Sequence, residues 1–231
     1  MGTVDEDGLV ILGEQSGEGI VIVRYADEVA VVRLTVPVDK LLPTDAYAGL
    51  PVHNEIDKHV YARHKQLGLL VSERCTDAEY IRRASLDAVG KLPDIAMVRE
   101  FLTNKDPKKR EKLVDQLLTA PEWADYWATK FVDLLRPNTQ RVGVKPVYLI
   151  DRWIRRRLRE NVSYDSFVRE LLTAEGSSHD YGPIAIWRHK REPAGMGAYV
   201  SRIFLGVRLE CAQCHHHPNE KWGQDDYYQM A

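Results

Sequence analysis

The fold is decided by residues 121–135, which read PEWADYWATKFVDLL. Large apolar side chains recur in this stretch every three or four residues, at Trp123, Trp127, Phe131, Leu134 and Leu135. This is the period of an α-helix, and Pro121 suits a first helical turn because its missing N–H is not needed there. Since aromatic rings bury a large apolar area, the stripe predicts a helix that anchors a helical core.

The helical period extends on both sides of residues 121–135, from Asn54 to the end of the sequence. Asn54 can cap a first helix that Gly68 closes, and Thr76 with Glu79 forms a capping box for the second. Four residues of the first helix lie on one stripe: Ile56, Val60, His64 and Leu67. Later helices are expected from Pro93, from Asp106, from Pro121, after Gly143, over Ser163–Gly176 and over Met196–Leu209. The sequence predicts a mainly α fold of about eight to nine helices.

The first 37 residues have a different pattern. Three β-branched runs, Leu9–Leu12, Ile20–Tyr25 and Val29–Val36, alternate with turn residues and predict a small N-terminal antiparallel β segment. Residues 38–53 contain two prolines and a glycine and are expected to be a linker. The helical domain should then occupy residues 54–231, and we expect it to be truncated at its C-terminus, within a helix that begins near Asp225.

Composition limits the classes of function. The chain of 231 residues has 44% apolar residues, 32 basic and 34 acidic side chains, so no global charge attracts nucleic acid. The basic run of Arg152, Arg155, Arg156, Arg157 and Arg159 has no interleaved aromatic side chains, which favours a solvated helix face paired with Glu160 and Glu170. No apolar window of membrane-spanning length occurs in this fragment. No catalytic constellation can be nominated, which favours a segment that is not itself an enzyme.

The chemistry of the chain is concentrated in CAQCH at residues 211–215. Two cysteines three residues apart lie on one face of a helical turn, so Cys211 and Cys214 can each form a thioether to one vinyl group of the same porphyrin. His215 would then bind the iron as an axial ligand. The spacing therefore predicts covalent attachment of haem c.

Other chemistries remain open for the same residues. Cys211 and Cys214 with His215 or His217 could bind zinc, although structural zinc usually takes two separated ligand pairs and the third cysteine, Cys75, has no partner nearby in sequence. A redox dithiol would need a preceding strand, and none is predicted. The cysteines could also simply be part of a packed turn.

A haem iron usually has a second axial ligand. The nearby candidates are Met196, Met230, His189, His216 and His217. The cations around the motif could pair with haem propionates: Arg188, His189, Lys190, Arg191 and Arg202.

The run IFLGVRLECAQCHHHP at 203–218, with Trp222 and DDYY at 225–228, resembles the domain of unknown function 1549, the second planctomycete-specific cytochrome-like domain. The resemblance covers about residues 54–231 and includes IDKHV at 56–60, RRASLD at 82–87 and KLVDQLL at 112–118. Asn219 departs from it, since an aromatic residue is expected after His-Pro. Residues 8–10 and 19–25 resemble the end of a group 2 bacterial immunoglobulin-like domain.

The resemblance implies an exported cytochrome-like module, in the periplasm or at the cell surface, that transfers electrons. Its partner would be a redox protein or an attached downstream domain. The alternative is a structural or interaction domain with a zinc or metal-free Cys/His cluster, serving a larger surface enzyme.

Overall fold

The computed structural model describes residues 2–25, 28–38, 42–43, 45–189, 192–217 and 220–231. These residues divide into two compact units. The first comprises residues 2–74 with 220–221, and the second comprises 75–217 with 222–231. The cysteine motif belongs to the second unit.

The N-terminal strands form two antiparallel pairs. Strands β1 (Gly2–Val4) and β2 (Val10–Leu12) make one pair, and β3 (Gly17–Tyr25) and β4 (Glu28–Val36) make the other. The longer pair runs from Gly17 opposite Val36 to Tyr25 opposite Glu28. The predicted antiparallel segment is confirmed. Strand β1 was not predicted, because three residues that include a glycine are too few to show an alternating pattern.

Helix α1 (Glu55–Leu67) begins and ends where the sequence predicted. The Asn54 side chain accepts a hydrogen bond from the Asp57 N–H, and Gly68 closes the helix with a left-handed φ of 66°. Helix α1 has no buried residue, however, and Ile56 on the predicted stripe is 70% exposed. Caps are local features, whereas the burial of a face depends on what packs against it.

Ten further α-helices follow in the part of the chain that the structure describes. They are α2 (Asp77–Val89), α3 (Ile95–Thr103), α4 (Lys109–Thr119), α5 (Pro121–Leu135), α6 (Thr139–Val142), α7 (Val144–Arg159), α8 (Tyr164–Leu172), α9 (Ala185–His189), α10 (Pro193–Val200) and α11 (Gln224–Met230). The mainly α prediction is confirmed. The total exceeds the predicted eight to nine because α6 and α9 are too short to show a helical period.

The helix predicted over Met196–Leu209 has different bounds. Helix α10 passes into a π-helical turn over Ser201–Leu205, and Gly206 ends it in a left-handed conformation with φ of 70°. The cysteine motif therefore does not continue this helix. It lies on a separate 3₁₀ turn, Leu209–Gln213.

The main core of the second unit lies between α5, α7, α8 and α10. Leu135, Ile150, Ile154 and Leu171 are fully buried in it. The Phe167 ring contacts two other aromatic rings of this core, with its centroid 5.2 Å from that of Phe131 and 4.9 Å from that of Trp153. Since none of these residues belongs to the cysteine motif, the core is built without it.

A second apolar cluster joins α2, α3 and α4. It contains Ile81, Val89, Phe101, Leu113 and Leu117, with Trp123 of α5 packed against it. Helix α5 thus contacts both clusters, as the aromatic stripe predicted. One member of the stripe was misplaced: Leu134 is 47% exposed, because Leu135 takes the inward position at the end of the helix.

The arginine face of α7 is paired with acidic side chains. Arg157 forms ion pairs of 2.7 Å with both Glu160 and Glu170, and Arg155 and Arg159 both pair with Asp125 on α5. These pairs fit the solvated helix face that the sequence favoured. No helix among the described residues is long and apolar enough to span a membrane.

Candidate functional site: the cysteine turn

The 3₁₀ turn Leu209–Gln213 is positioned by its two apolar side chains. Leu209 and Ala212 are buried, and they pack with Ala198 of α10 and Tyr227 of α11 in a small apolar cluster. The other residues of the turn face outward. Buried apolar residues, Leu209 and Ala212, thus lie on either side of the exposed Cys211 in the sequence of this turn.

Helix α11 contacts the C-terminal side of this turn through a hydrogen bond and an aromatic ring. The Gln224 side chain donates a 2.9 Å hydrogen bond from Nε2 to the Gln213 carbonyl, and the Tyr227 ring is buried against the turn. Burial raises the pKa of the Tyr227 phenol, and the neighbouring acidic groups raise it further. The phenol is therefore neutral over the physiological range and serves as a packing group.

Both cysteines of the motif are exposed and carry free thiols. Cys211 lies on the 3₁₀ turn, and Cys214 is the residue that ends it. The prediction placed this pair on an ordinary helical turn. The structure places Cys211 on a 3₁₀ turn and Cys214 at its end, where φ is −115°.

His215 is exposed, and its ring is oriented by the backbone. Its Nδ1 lies 2.6 Å from the carbonyl oxygen of His216. A carbonyl oxygen only accepts hydrogen bonds, so Nδ1 must carry the proton in this contact. The lone pair of a neutral His215 is then on Nε2, the atom that is free to bind a metal.

The next two histidines have structural contacts. The backbone N–H of His217 donates a 2.8 Å hydrogen bond to the Trp222 carbonyl. A Cβ placed on Gly223 would lie 3.5 Å from the His216 ring, so this imidazole lies over the start of α11. Pro218 and Asn219, the site of the departure from the family pattern, lie outside the described residues.

The two methionines proposed as distal ligands lie together elsewhere. Met196 is buried in the main core, and Met230 on α11 is 36% exposed. Both line an apolar cavity of about 400 Å³ beside Trp187, and neither Cys211 nor His215 belongs to its lining. The structure therefore places both methionines at one cavity whose lining does not include the cysteine motif.

Two of the predicted propionate partners have protein partners. Arg188 donates 2.9 Å and 3.2 Å hydrogen bonds to Ser178 Oγ and the Val142 carbonyl, and Arg202 forms a 3.2 Å ion pair with Glu210. Only Arg202 is thereby linked to the cysteine turn, since Glu210 immediately precedes Cys211. The side chain of His189 and residues 190 and 191 are outside the described part of the chain.

Within the described ranges no three His, Cys, Asp or Glu side chains are grouped so that they could hold a metal ion. Two exposed thiols followed by an imidazole with Nε2 free are the residue types that thioether attachment and axial ligation require. Zinc would need further donors to move in.

Sequence reasoning missed the residues that support the turn. Gln224 and Tyr227 hold it from α11, and Leu209 anchors it from within. The sequence predicts a helix near Asp225, but no spacing rule connects it to Gln213. The connection exists only in three dimensions.

Comparison with known proteins gives one match. The family model described as PSCyt2, Protein of unknown function (DUF1549), matches residues 55–231. The matched segment begins at the first residue of α1 and includes the whole cysteine turn, while the four strands lie before it. No curated protein and no solved structure matches the chain.

Proposed function

The chain belongs to the family PSCyt2, Protein of unknown function (DUF1549), and on that premise we propose that its helical part is an exported cytochrome-like module. In this proposal Cys211 and Cys214 hold one haem c through thioethers, and His215 is an axial ligand. The module transfers electrons to or from a redox partner or an attached domain. It acts in the periplasm or at the cell surface, where haem c is normally assembled.

One observation carries the proposal: both thiols are exposed at a 3₁₀ turn and its end, next to an imidazole whose Nδ1 contacts the backbone. Covalent attachment needs thiols that an assembly enzyme can reach, and exposure provides this access. Leu209 and Ala212 anchor the turn from below, so the thiols keep their positions when the porphyrin is added.

The residues would divide the work as follows. Cys211 and Cys214 prevent dissociation, and the Nδ1 contact of His215 keeps Nε2 available as the electron-donating ligand. Bound haem would supply an iron centre that accepts and releases one electron. Because the turn is exposed, a partner protein could approach it closely, and exposure to water is one determinant of the reduction potential.

The test is a reduced pyridine haemochrome spectrum of protein produced in a host that attaches haem c. We expect the α-band of a haem with both vinyl groups saturated, at one haem per chain. Cys211→Ser with Cys214→Ser should abolish covalent attachment. Cys75→Ser is the matched control, since Cys75 lies outside the motif, and it should leave the spectrum unchanged.

A wild-type protein without an α-band from such a host would contradict the proposal. So would an equal loss of haem in the Cys75→Ser control, because the attachment would then not depend on the motif. Protein from a host without attachment machinery is expected to be haem-free and serves as the blank.

The packing of the turn favours one second candidate, a structural or interaction module. The turn packs through a small cluster of apolar side chains: Leu209, Ala212, Ala198 and Tyr227. In this case the Cys and His side chains hold zinc or simply lie on a packed turn. Elemental analysis distinguishes the two: stoichiometric zinc that is lost with the fold in Cys211→Ser supports the zinc form, and no metal leaves packing alone.

A further inference from the structure

A basic cavity lies on the second unit, apart from the thiols. It has a volume of about 780 Å³, and it is lined by the end of α5, by α6 and by the π-helical turn after α10. This volume is within the range of small-molecule sites, about 300–1,000 Å³. Cys211, Cys214 and His215 are not part of its lining.

The lining carries more positive than negative charge. Lys130, Arg136, Arg141 and Arg202 contribute four cations, whereas Asp133 is the one carboxylate among the described lining residues. Lys130, Arg136 and Arg141 come from the end of α5 and from α6, and Arg202 comes from a segment 61 residues further along the chain. The net positive charge of the lining favours the binding of an anion.

The backbone of one of these arginines, Arg136, has an unfavourable conformation. Arg136 ends α5 with φ 46° and ψ 48°, a left-handed conformation that costs a non-glycine residue energy. The preceding carbonyl, of Leu135, accepts a 2.7 Å hydrogen bond from the buried Tyr199 phenol. This hydrogen bond holds the backbone immediately before Arg136. Strain of this kind is concentrated at functional sites.

Arg202 also lies on an irregular segment of backbone. This residue lies on the π-helical turn Ser201–Leu205, whose wider winding changes the direction in which its side chains leave the helix. Single π turns inside α-helices occur frequently at functional sites. Two separate deviations from regular backbone therefore contribute arginines to the same cavity.

We propose that this cavity binds a small ligand with at least two anionic groups, carboxylates or phosphates. Arg136, Arg141 and Arg202 provide planar guanidinium groups that can bind such oxygens in pairs, and Lys130 adds a point charge. The cavity is too large for one monovalent anion, which fits a ligand with several charges. This proposal does not depend on haem at Cys211 and Cys214.

Glu210 competes with the ligand for Arg202. The Glu210 carboxylate lies 3.2 Å from Arg202 Nη1, and Glu210 does not line the cavity. Binding of an anion would draw Arg202 away from Glu210. Removing the Glu210 charge should therefore strengthen binding, an effect that general damage to the fold cannot produce.

The experiment is calorimetric titration of the purified chain with pyrophosphate and, separately, with citrate at low ionic strength. We expect one saturable site, whose affinity falls with added salt. Arg136→Gln and Arg202→Gln should each weaken it about tenfold, the loss of one charge-assisted hydrogen-bonding group. Glu210→Gln should strengthen it several-fold. Tighter binding of pyrophosphate would assign the ligand to phosphates, and tighter binding of citrate would assign it to carboxylates.

Arg152→Gln is the matched control, because Arg152 is an exposed arginine of α7 outside the lining. It should leave the affinity unchanged. Should Arg136→Gln fail to fold, Arg202→Gln and Glu210→Gln still decide the matter, since both residues are exposed. The proposal is overturned by the absence of saturable binding of both probes, by an equal loss in Arg152→Gln, or by weaker binding in Glu210→Gln.

Discussion

Tyr199 belongs both to the main core and to the lining of the basic cavity. Its ring is 3% exposed within the main core, and its phenol donates to the Leu135 carbonyl at the end of α5. Burial raises the pKa of Tyr199, so the phenol remains a hydrogen-bond donor at physiological pH. The carbonyl needs this donor because α5 ends there, and the last carbonyls of a helix have no partner within it.

Tyr199→Phe should lower the free energy of unfolding by about 1–2 kcal/mol, because the Leu135 carbonyl loses its buried donor while the ring still fills its place. Chemical denaturation monitored by circular dichroism measures the change. Tyr228→Phe is the control, since Tyr228 is 56% exposed, and should change stability by less than about 0.5 kcal/mol. Equal stability of the two variants would contradict this role of Tyr199.

At the scale of elements, helices α2 and α4 are joined by charge as well as by apolar packing. Asp77, the first residue of α2, accepts 2.7 Å ion pairs from Lys109 and Arg110 at the start of α4. Hydrogen bonds from Lys109 and then from Arg110 lower the pKa of Asp77 below its ordinary value of 3.8. The folded state therefore favours the ionised carboxylate.

The stability that Asp77 contributes should depend on pH. A carboxyl whose pKa is lower in the folded state stabilises the fold above pH 3.8, and this contribution is lost as pH falls through the folded pKa. Asp77→Asn should therefore be less stable than wild type at pH 7, and the difference should shrink below pH 3.8. Denaturant melts across this pH range measure it, with the exposed Asp87→Asn as control. A difference that stays constant with pH would contradict the account.

Another contact between elements depends on the absence of a side chain. The 3₁₀ turn Gly182–Ile184 packs against α7, and a Cβ on Gly182 would collide with the Leu149 carbonyl and lie 2.6 Å from the Ile150 nitrogen. Both are backbone atoms, which cannot rotate away. The turn can approach the helix this closely only with glycine at this position.

Gly182→Ala should therefore destabilise the protein by about 2–3 kcal/mol, because the turn and α7 must separate. Gly223→Ala is the matched control: its φ is −105°, and its Cβ would meet the His216 ring at an ordinary 3.5 Å. Thermal unfolding of both variants compares them. The explanation fails if Gly182→Ala has the same midpoint of thermal unfolding as the wild type.

The elements also show what the sequence could predict. Caps such as Thr76 with Glu79 depend on residues three apart, so the ends of α2 were predictable. The exposure of Ile56 and Leu134 was not, because it depends on which neighbours cover each face. The π turn before Gly206 keeps a helix-like apolar pattern, which is why the predicted helix ran too far. The basic cavity was not predicted, because Arg202 comes from a segment distant in sequence from Arg136 and Arg141.

At the scale of the whole molecule, the cysteine turn and the main core are separate. The core contains Ile150, Ile154 and Leu171, all fully buried, whereas Cys211 and Cys214 are exposed. A small cytochrome folds around its haem, but the helical unit of this chain has an apolar core of its own. The proposed haem would therefore be added to a folded scaffold.

The double variant Cys211→Ser with Cys214→Ser should then keep its helix content and change the free energy of unfolding by less than about 0.5 kcal/mol relative to the haem-free wild type. Ile150→Ala, by contrast, should lose about 2–5 kcal/mol because it leaves a cavity in the core. Circular dichroism and denaturant melts measure both. Unfolding of the double serine variant would show that the motif is part of the scaffold and would favour the structural zinc module.

The most direct test of the central claim is the intact mass, under denaturing conditions, of wild-type protein from a host that attaches haem c. Thioethers survive denaturation, so the account predicts a chain heavier by one haem. The double serine variant from the same host should have the mass of the polypeptide alone. A wild-type protein with only the polypeptide mass would contradict the claim that Cys211 and Cys214 hold haem.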